Sequence, residues 1–386
     1  MNYNFDEIIE RRNTGCVKWD ESPEDVIPMW VADMDFAVAP AIQEAIRRRA
    51  QHPVFGYTYV LDDYYEAVIS WFKRRHQWDI KRDWILYTTG VVPAMSVAVK
   101  ALTMPGEKVL ILSPDYNCFF SSVKNNGCEV AECVLRFNRS NHRFEVNWKD
   151  FEQQCADEKT TVFLLCNPHN PTGRVWTREE LQRMADICHR YNVRIVSDEI
   201  HCELIMPGHT FCPMGIVDPD AVILNSPSKS FNIAGLMMAN IICSDPATRR
   251  RLNRAININE VCDVNPFAPE AVKAAYNESE DWIDALNRYL WDNYTTLCDF
   301  AAQHLPKWRV LSLEGTYLAW VAVDPSCTHG DVAEYTERLL KEARVWLNPG
   351  SMYGPQSGEG YLRINLACPR SLLLEALERI KDYNKK

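Results

Sequence analysis

"TVFLLCNPHNPTGRVWTREELQRMADICHRYNVRIVSD", running from Thr161 to Asp198, holds two β-branched apolar runs separated by a helical pattern. The runs "TVFLLC" from Thr161 and "VRIVSD" from Val193 have the length and residue types of buried strands. Between them, Thr177 is followed three residues later by Glu180, the spacing of a capping box, and apolar residues continue through Leu181, Met184 and Ile187. Strand, helix and strand in that order make one unit of a parallel sheet wrapped by helices. The alternation starts at about residue 84 and recurs in "KVLIL" from Lys108, "AVILN" from Ala221 and "NIIC" from Asn240. A further helix begins near Val92, where Pro93 suits a first turn because its missing donor would be unpaired there anyway. The expected fold class is α/β: a large domain with a mostly parallel sheet sandwiched by helices, plus a smaller α+β domain.

A chain of 386 residues exceeds what one simple core usually covers. After Pro269 a polar and aromatic helical stretch runs to about His304, and "WRVLSLEGTYLAWVAV" from Trp308 reads as a hairpin-bearing segment. The domain change is expected inside that helix. The expected division is an N-terminal segment, 1–45, packing with the small domain; a large domain, 46–285; and a small C-terminal domain, 286–386.

The net charge of −10 disfavours nucleic acid as a partner. "RRR" at Arg47–Arg49 reads as a solvated helix face. The opening residues lack the succession of an export signal, and "GLMMANIIC" at Gly235–Cys243 is too short to span a bilayer. Fourteen scattered cysteines without paired CxxC spacing read as reduced thiols, so a cytoplasmic protein with no membrane partner is expected. GxGxxG, GxxxxGK and HExxH are absent, and no solenoid repeat is visible. "HCELIMPGHTFC" at His201–Cys212 matches no tight zinc spacing, so no metal is expected.

Ligands of open α/β sheets bind beyond the C-terminal ends of the strands. Asn170 follows one proposed strand, Asp198 ends another, and Lys229 follows a third within "SPSKSFNIAGL" at Ser226–Leu236. An amide, an acid and an amine around one cleft meet the needs of pyridoxal 5'-phosphate. The amine forms a Schiff base, the carboxylate pairs with the protonated ring nitrogen, and the amide donates to the ring hydroxyl.

In this order the residues resemble the fold-type I, class I/II aminotransferase superfamily, which implies an aspartate aminotransferase-like fold. More narrowly, "PMWVADMDF" from Pro28, "HPVFGY" from His52, "TTGVVPA" from Thr88, "CNPHNPTGRVW" from Cys166, "SDEIH" from Ser197 and "SPSKSFNIAGL" resemble the MalY/PatB branch of carbon–sulfur β-lyases. The resemblance spans most of the chain. It implies Lys229 as the Schiff-base lysine, Asp198 as partner of the pyridine nitrogen, and Asn170 as partner of the ring hydroxyl. Tyr116, in "SPDYNCFF", is implied to stack on the ring, and Ile200 covers the other face if the strand ending at Asp198 continues that far. His201 is expected near the ring hydroxyl. The phosphate is expected to take backbone amides of Val91 and Val92 at a helix N terminus, with the hydroxyls of Ser226 and Ser228. The resemblance also implies that Tyr57 of the partner subunit reaches that phosphate, which calls for a homodimer with shared active sites. Arg363, in "YLRINLACPR", is implied to clasp the carboxylate of a small amino-acid substrate together with Asn170 and Tyr116, whereas Arg370 is expected at the surface.

The implied activity is α,β-elimination from L-cystathionine or related cysteine S-conjugates, giving a thiol, pyruvate and ammonia. Two other outcomes stay open. Transamination uses the same lysine and the same carbanion, and a cofactor-binding regulatory protein would need little catalysis. One departure from the branch bears on substrate preference: Asn117 and Cys118 stand where a second tyrosine and a proline are expected.

Overall fold

The computed structural model describes residues 3–385. Its centre is a seven-stranded sheet built from β1 (Ile85–Thr88), β2 (Lys108–Ser113), β3 (Glu129–Val134), β4 (Thr160–Cys166), β5 (Arg194–Asp198), β6 (Val222–Asn225) and β7 (Ala239–Ile242). The strand order is β1-β7-β6-β5-β4-β2-β3. Strands β2 to β6 pair in parallel. The inner strands are buried along nearly their whole length, as a sheet covered on both faces requires.

Side-chain alternation divides the apolar residues between those faces. Val109 and Ile111 of β2, with Val162 and Leu164 of β4, join a cluster around the helix Val91–Leu102. Leu110, Leu112, Phe163 and Leu165 point the other way, into a cluster that includes Leu181, Met184 and Ile187 of the helix Arg178–Arg190. That helix opens with the expected capping box: the Glu180 amide donates to the Thr177 hydroxyl, and the Thr177 amide donates to the Glu180 carboxylate.

The structure adds three details. The strand holding "NIIC" is antiparallel to both neighbours. Its connection from β6, residues 226–238, holds the short turn Ala234–Leu236 and no α-helix to cross over the sheet, and the chain folds back beside β6. Strands β1 and β3 form the two edges of the sheet, and in β3 ("EVAECV") only one side of the pleat is buried. The helical stretch before His304 is two helices, Ala268–Glu278 and Glu280–His304, broken at Ser279, whose hydroxyl donates to the Ala274 carbonyl at 3.0 Å.

A four-stranded antiparallel sheet follows, in the order Trp308–Val310, Leu318–Val323, Tyr361–Asn365 and Asn348–Pro349. Its first two strands are the hairpin expected in "WRVLSLEGTYLAWVAV". Near the N terminus, Ile27–Pro28 pairs in parallel with Val345–Trp346. Beyond it a strap, 29–36, is tied down along its length. The Trp30 carbonyl accepts from Asn348 and Arg363, and those of Val31 and Asp33 both accept from the Asn365 amide. A buried ionic cluster fixes the strap's far end: Lys18 lies 2.7 Å and Arg11 2.7 Å from the Asp35 carboxylate, which also accepts from the Trp19 indole. With so many donors the Asp35 carboxylate is compensated for its lost hydration.

Candidate active site

The C-terminal ends of β4, β5 and β6 open into a cavity of about 250 Å³ whose lining includes Asn170, Asp198 and Lys229. Thr89 to Pro93, Tyr116, Cys166, Ile200, His201, Ser228, Ala32, Met237 and Met238 complete most of its wall. Position in the sheet explains the convergence, because parallel strands deliver their following loops to one edge.

Lys229 follows β6 in a turn closed by the Phe231 amide donating to the Pro227 carbonyl and the Ile233 amide donating to the Ser228 carbonyl. Asn232, at φ 56°, adopts the left-handed conformation that asparagine tolerates, and its side chain bonds Met34 and Phe36 of the strap. The Lys229 amine donates to the Ala32 carbonyl at 2.6 Å. Burial, then the nearby Arg363 cation, lowers its pKa to about 8. Far more of this amine is neutral at neutral pH than of an ordinary lysine, which favours its use as a nucleophile and base.

Asp198 ends β5 with 5% of its surface exposed, and burial raises its carboxyl to about 7 against the opposing effects of the Ile200 amide and Lys229. The Ile200 amide donates to Asp198 Oδ1 at 3.1 Å. Beside it, His201 is held neutral by burial, with a pKa of about 3, and its Nδ1 has no hydrogen-bond partner. The His201 ring meets Tyr317 edge-on at 6.1 Å. Asn170 accepts from Arg363 Nη1 at 3.2 Å.

Arg363 is 3% exposed, lies over the Tyr353 ring at 4.7 Å and leaves Nε unpaired. A buried guanidinium with an unused donor is suited to an anion. Arg370 is half-exposed at the start of the last helix, over the Tyr289 ring.

The helix Val91–Leu102 presents its N terminus to the cavity with no side-chain cap, which leaves first-turn amides and the positive dipole end for an anion. A buried carboxyl, an unpartnered imidazole nitrogen, a partly buried amine and an uncapped helix start form the donor set that a phosphorylated pyridine aldehyde needs, so the residues fit that group.

Two expected contacts come out differently. Strand β5 stops at Asp198, so Ile200 reaches the cavity from the following turn and not by sharing a strand face. The hydroxyl of Ser226 donates to the Met238 carbonyl at 2.7 Å and accepts from the Ser228 amide, so its proton is directed away from the cavity that Ser228 lines. Tyr57 lies in an exposed, irregular stretch together with Val54, Phe55, Tyr59 and Leu61.

Sequence reasoning missed Ala32 and Tyr317. Ala32 acts through its backbone carbonyl, which no side-chain pattern reveals, and Tyr317 reads as one more aromatic in a strand-like run. Elsewhere, potential ligand atoms of His76, Cys202 and Glu203 lie within 4.8 Å of one another. Glu203 is engaged there by His76 at 2.6 Å and the Trp71 indole at 2.7 Å.

The family model Aminotransferase class I and II matches residues 24–380, and the chain belongs to that family. It is 38% identical to cystathionine beta-lyase PatB of Bacillus subtilis over 98% of this chain and 99% of that protein. It is 32% identical to protein MalY of Escherichia coli, covering 96% of each chain. Among solved structures, the PLP-bound C-S lyase from Staphylococcus hominis, complexed with the inhibitor L-cycloserine, superposes with a TM-score of 0.92 at 32% identity, covering 99% of this chain and 98% of that one.

Proposed function

We propose, starting from a member of the class I and II aminotransferase family, a pyridoxal phosphate-dependent carbon–sulfur β-lyase that acts on L-cystathionine or related cysteine S-conjugates. The products are a thiol, pyruvate and ammonia. The observation that carries this reading is the meeting of Lys229, Asp198 and Asn170 at one cavity, with the buried Arg363 hydrogen-bonded to Asn170 behind its wall. The full-length likeness to PatB supports elimination in particular.

Pyridoxal phosphate, when bound, supplies an electron sink for the charge left on the substrate α-carbon. Lys229 would hold the cofactor, and its neutral nitrogen would accept the α-proton of the bound amino acid. Asp198 pairs with the ring nitrogen, where a cation would favour its ionised form. Asn170 and His201, both lining the cavity, would serve the ring hydroxyl, and Tyr116 and Ile200 would pack against the ring. Amides of Val91 and Val92, with the Ser228 hydroxyl, take the phosphate. Arg363 takes the substrate carboxylate, and its burial favours that charge-assisted pair over water.

The exposed apolar stretch around Tyr57 supports a homodimer in which Tyr57 completes the partner's phosphate site. Fourteen unpaired cysteines support a reducing, cytoplasmic setting. No helix among the described residues is long and apolar enough to cross a membrane.

The test is to supply L-cystathionine to the purified holoprotein and follow thiol, pyruvate and cofactor absorbance. Pyruvate and thiol formed without an added keto acid support the lyase. Turnover that depends on a keto acid identifies an aminotransferase, and cofactor binding without turnover a regulatory protein. Visible cofactor absorbance that persists unchanged in Lys229→Ala overturns the assignment of the lysine.

A further inference from the structure

Two donors meet at a single backbone acceptor at the floor of the cavity. The Ala32 carbonyl accepts from Lys229 Nζ at 2.6 Å and from the Tyr317 hydroxyl at 2.8 Å. Tyr317 is fully buried, packed edge-on against His201. The carbonyl is held in place from behind, because Asn365 Nδ2 binds the flanking carbonyls of Val31 and Asp33 at 2.6 and 2.7 Å. Ala32 therefore presents a fixed acceptor whose two lone pairs are both used while the lysine amine is free.

We propose that Tyr317 is a positioning residue which, by sharing the Ala32 carbonyl with Lys229, sets how readily that lysine leaves the carbonyl to hold the cofactor. The inference rests on the reading of Lys229 as the cofactor-bearing lysine. Condensation of the Lys229 amine with the cofactor aldehyde forms a carbon–nitrogen double bond and releases one water, and it takes the nitrogen away from Ala32. The Tyr317 hydroxyl keeps the buried carbonyl satisfied in that state. With phenylalanine at 317, the same departure strands a buried acceptor, and an orphaned buried polar group is costly. Lys229 is then retained on Ala32. A substrate amine that displaces Lys229 from the cofactor returns it to that carbonyl, so the substrate-bound state gains by the same amount.

The direction of the effect separates this role from simple packing. In Tyr317→Phe the holoprotein releases pyridoxal phosphate about ten-fold more readily, read from visible absorbance on dilution and dialysis, while KM for L-cystathionine falls. In a Lys229→Ala background the carbonyl has no lysine to lose, and Tyr317→Phe changes cofactor affinity by less than about two-fold. Equal weakening in both backgrounds, a raised KM, or unchanged affinity in the Tyr317→Phe holoprotein overturns the proposal. If the parent protein binds no pyridoxal phosphate, the proposed function fails together with this inference. If it binds the cofactor and cleaves cystathionine but shows no coupling between Tyr317 and Lys229, only this inference fails.

Discussion

Arg363 Nη1 donates to Asn170 Oδ1 across 3.2 Å, joining a strand of the four-stranded sheet to the loop after β4 of the seven-stranded one. Those residues are 193 positions apart in sequence. The bond places a guanidinium with a free Nε beside the amide proposed to orient the cofactor. Truncation of a buried, hydrogen-bonded charge typically costs enough to weaken binding by about 10²-fold or more. Arg363→Ala is therefore expected to raise KM by about that factor. Arg363→Lys recovers little, because an ammonium cannot reproduce the planar fork. Steady-state kinetics on L-cystathionine checks this, and an unchanged KM in Arg363→Ala counts against the carboxylate role.

Lys229 without cofactor should titrate near 8 and not at the ordinary lysine value of 10.5. Its depressed pKa comes first from burial and next from Arg363, so Arg363→Gln should move the midpoint upward. Labelling of the Lys229 amine as a function of pH, followed by peptide mass analysis, reads the midpoint directly. A midpoint at 10 or above in the parent protein contradicts the expectation.

Asp198 makes stability depend on pH in the cofactor-free protein. Burial raises its carboxyl from 3.8 to about 7, so the fold favours the neutral acid. Its contribution is present below the unfolded value near 4 and is lost as pH rises through about 7. Asp198→Asn should accordingly raise the melting temperature of the cofactor-free protein at pH 8 while leaving it nearly unchanged at pH 4. The same variant should hold pyridoxal phosphate more weakly. Thermal melts at both pH values, with and without cofactor, test the two signs together.

Glu314 carries a different load. It is buried, lies 3.1 Å from Arg174 and 2.6 Å from Arg143, and accepts from the Val175 amide at 2.9 Å. Loss of one partner from such a set strands the others, at a typical cost of about 3–5 kcal/mol. Glu314→Ala should therefore shift the denaturant midpoint strongly. Glu314→Gln, which keeps an acceptor for Val175, should lose less. Equal midpoints for the parent and Glu314→Ala would falsify the structural role.

Tyr57 offers a test of the shared site. If it serves the partner's phosphate, Tyr57→Ala and Lys229→Ala each impair activity, yet mixed dimers contain one intact site. Refolding the two variants together should restore activity to ~25% of the parent level, the share expected for random pairing in a two-fold dimer. Activity that stays at the level of the separate variants argues against the exchange.

The sequence by itself determined the alternation of strands and helices from residue 84 and the capped helix after Thr177. It also determined that Asn170, Asp198 and Lys229 follow or end parallel strands. Those features are local: periodicity and capping act over a few residues, and a parallel sheet collects its loops at one edge. The tertiary structure alone decided the reversed direction of β7, the break at Ser279, the burial of Arg363 against Asn170, the turning of Ser226 toward Met238, and the meeting of Lys229 and Tyr317 at Ala32. Each depends on what lies across a gap between distant segments, and a backbone carbonyl such as that of Ala32 leaves no mark in the identity of its own residue.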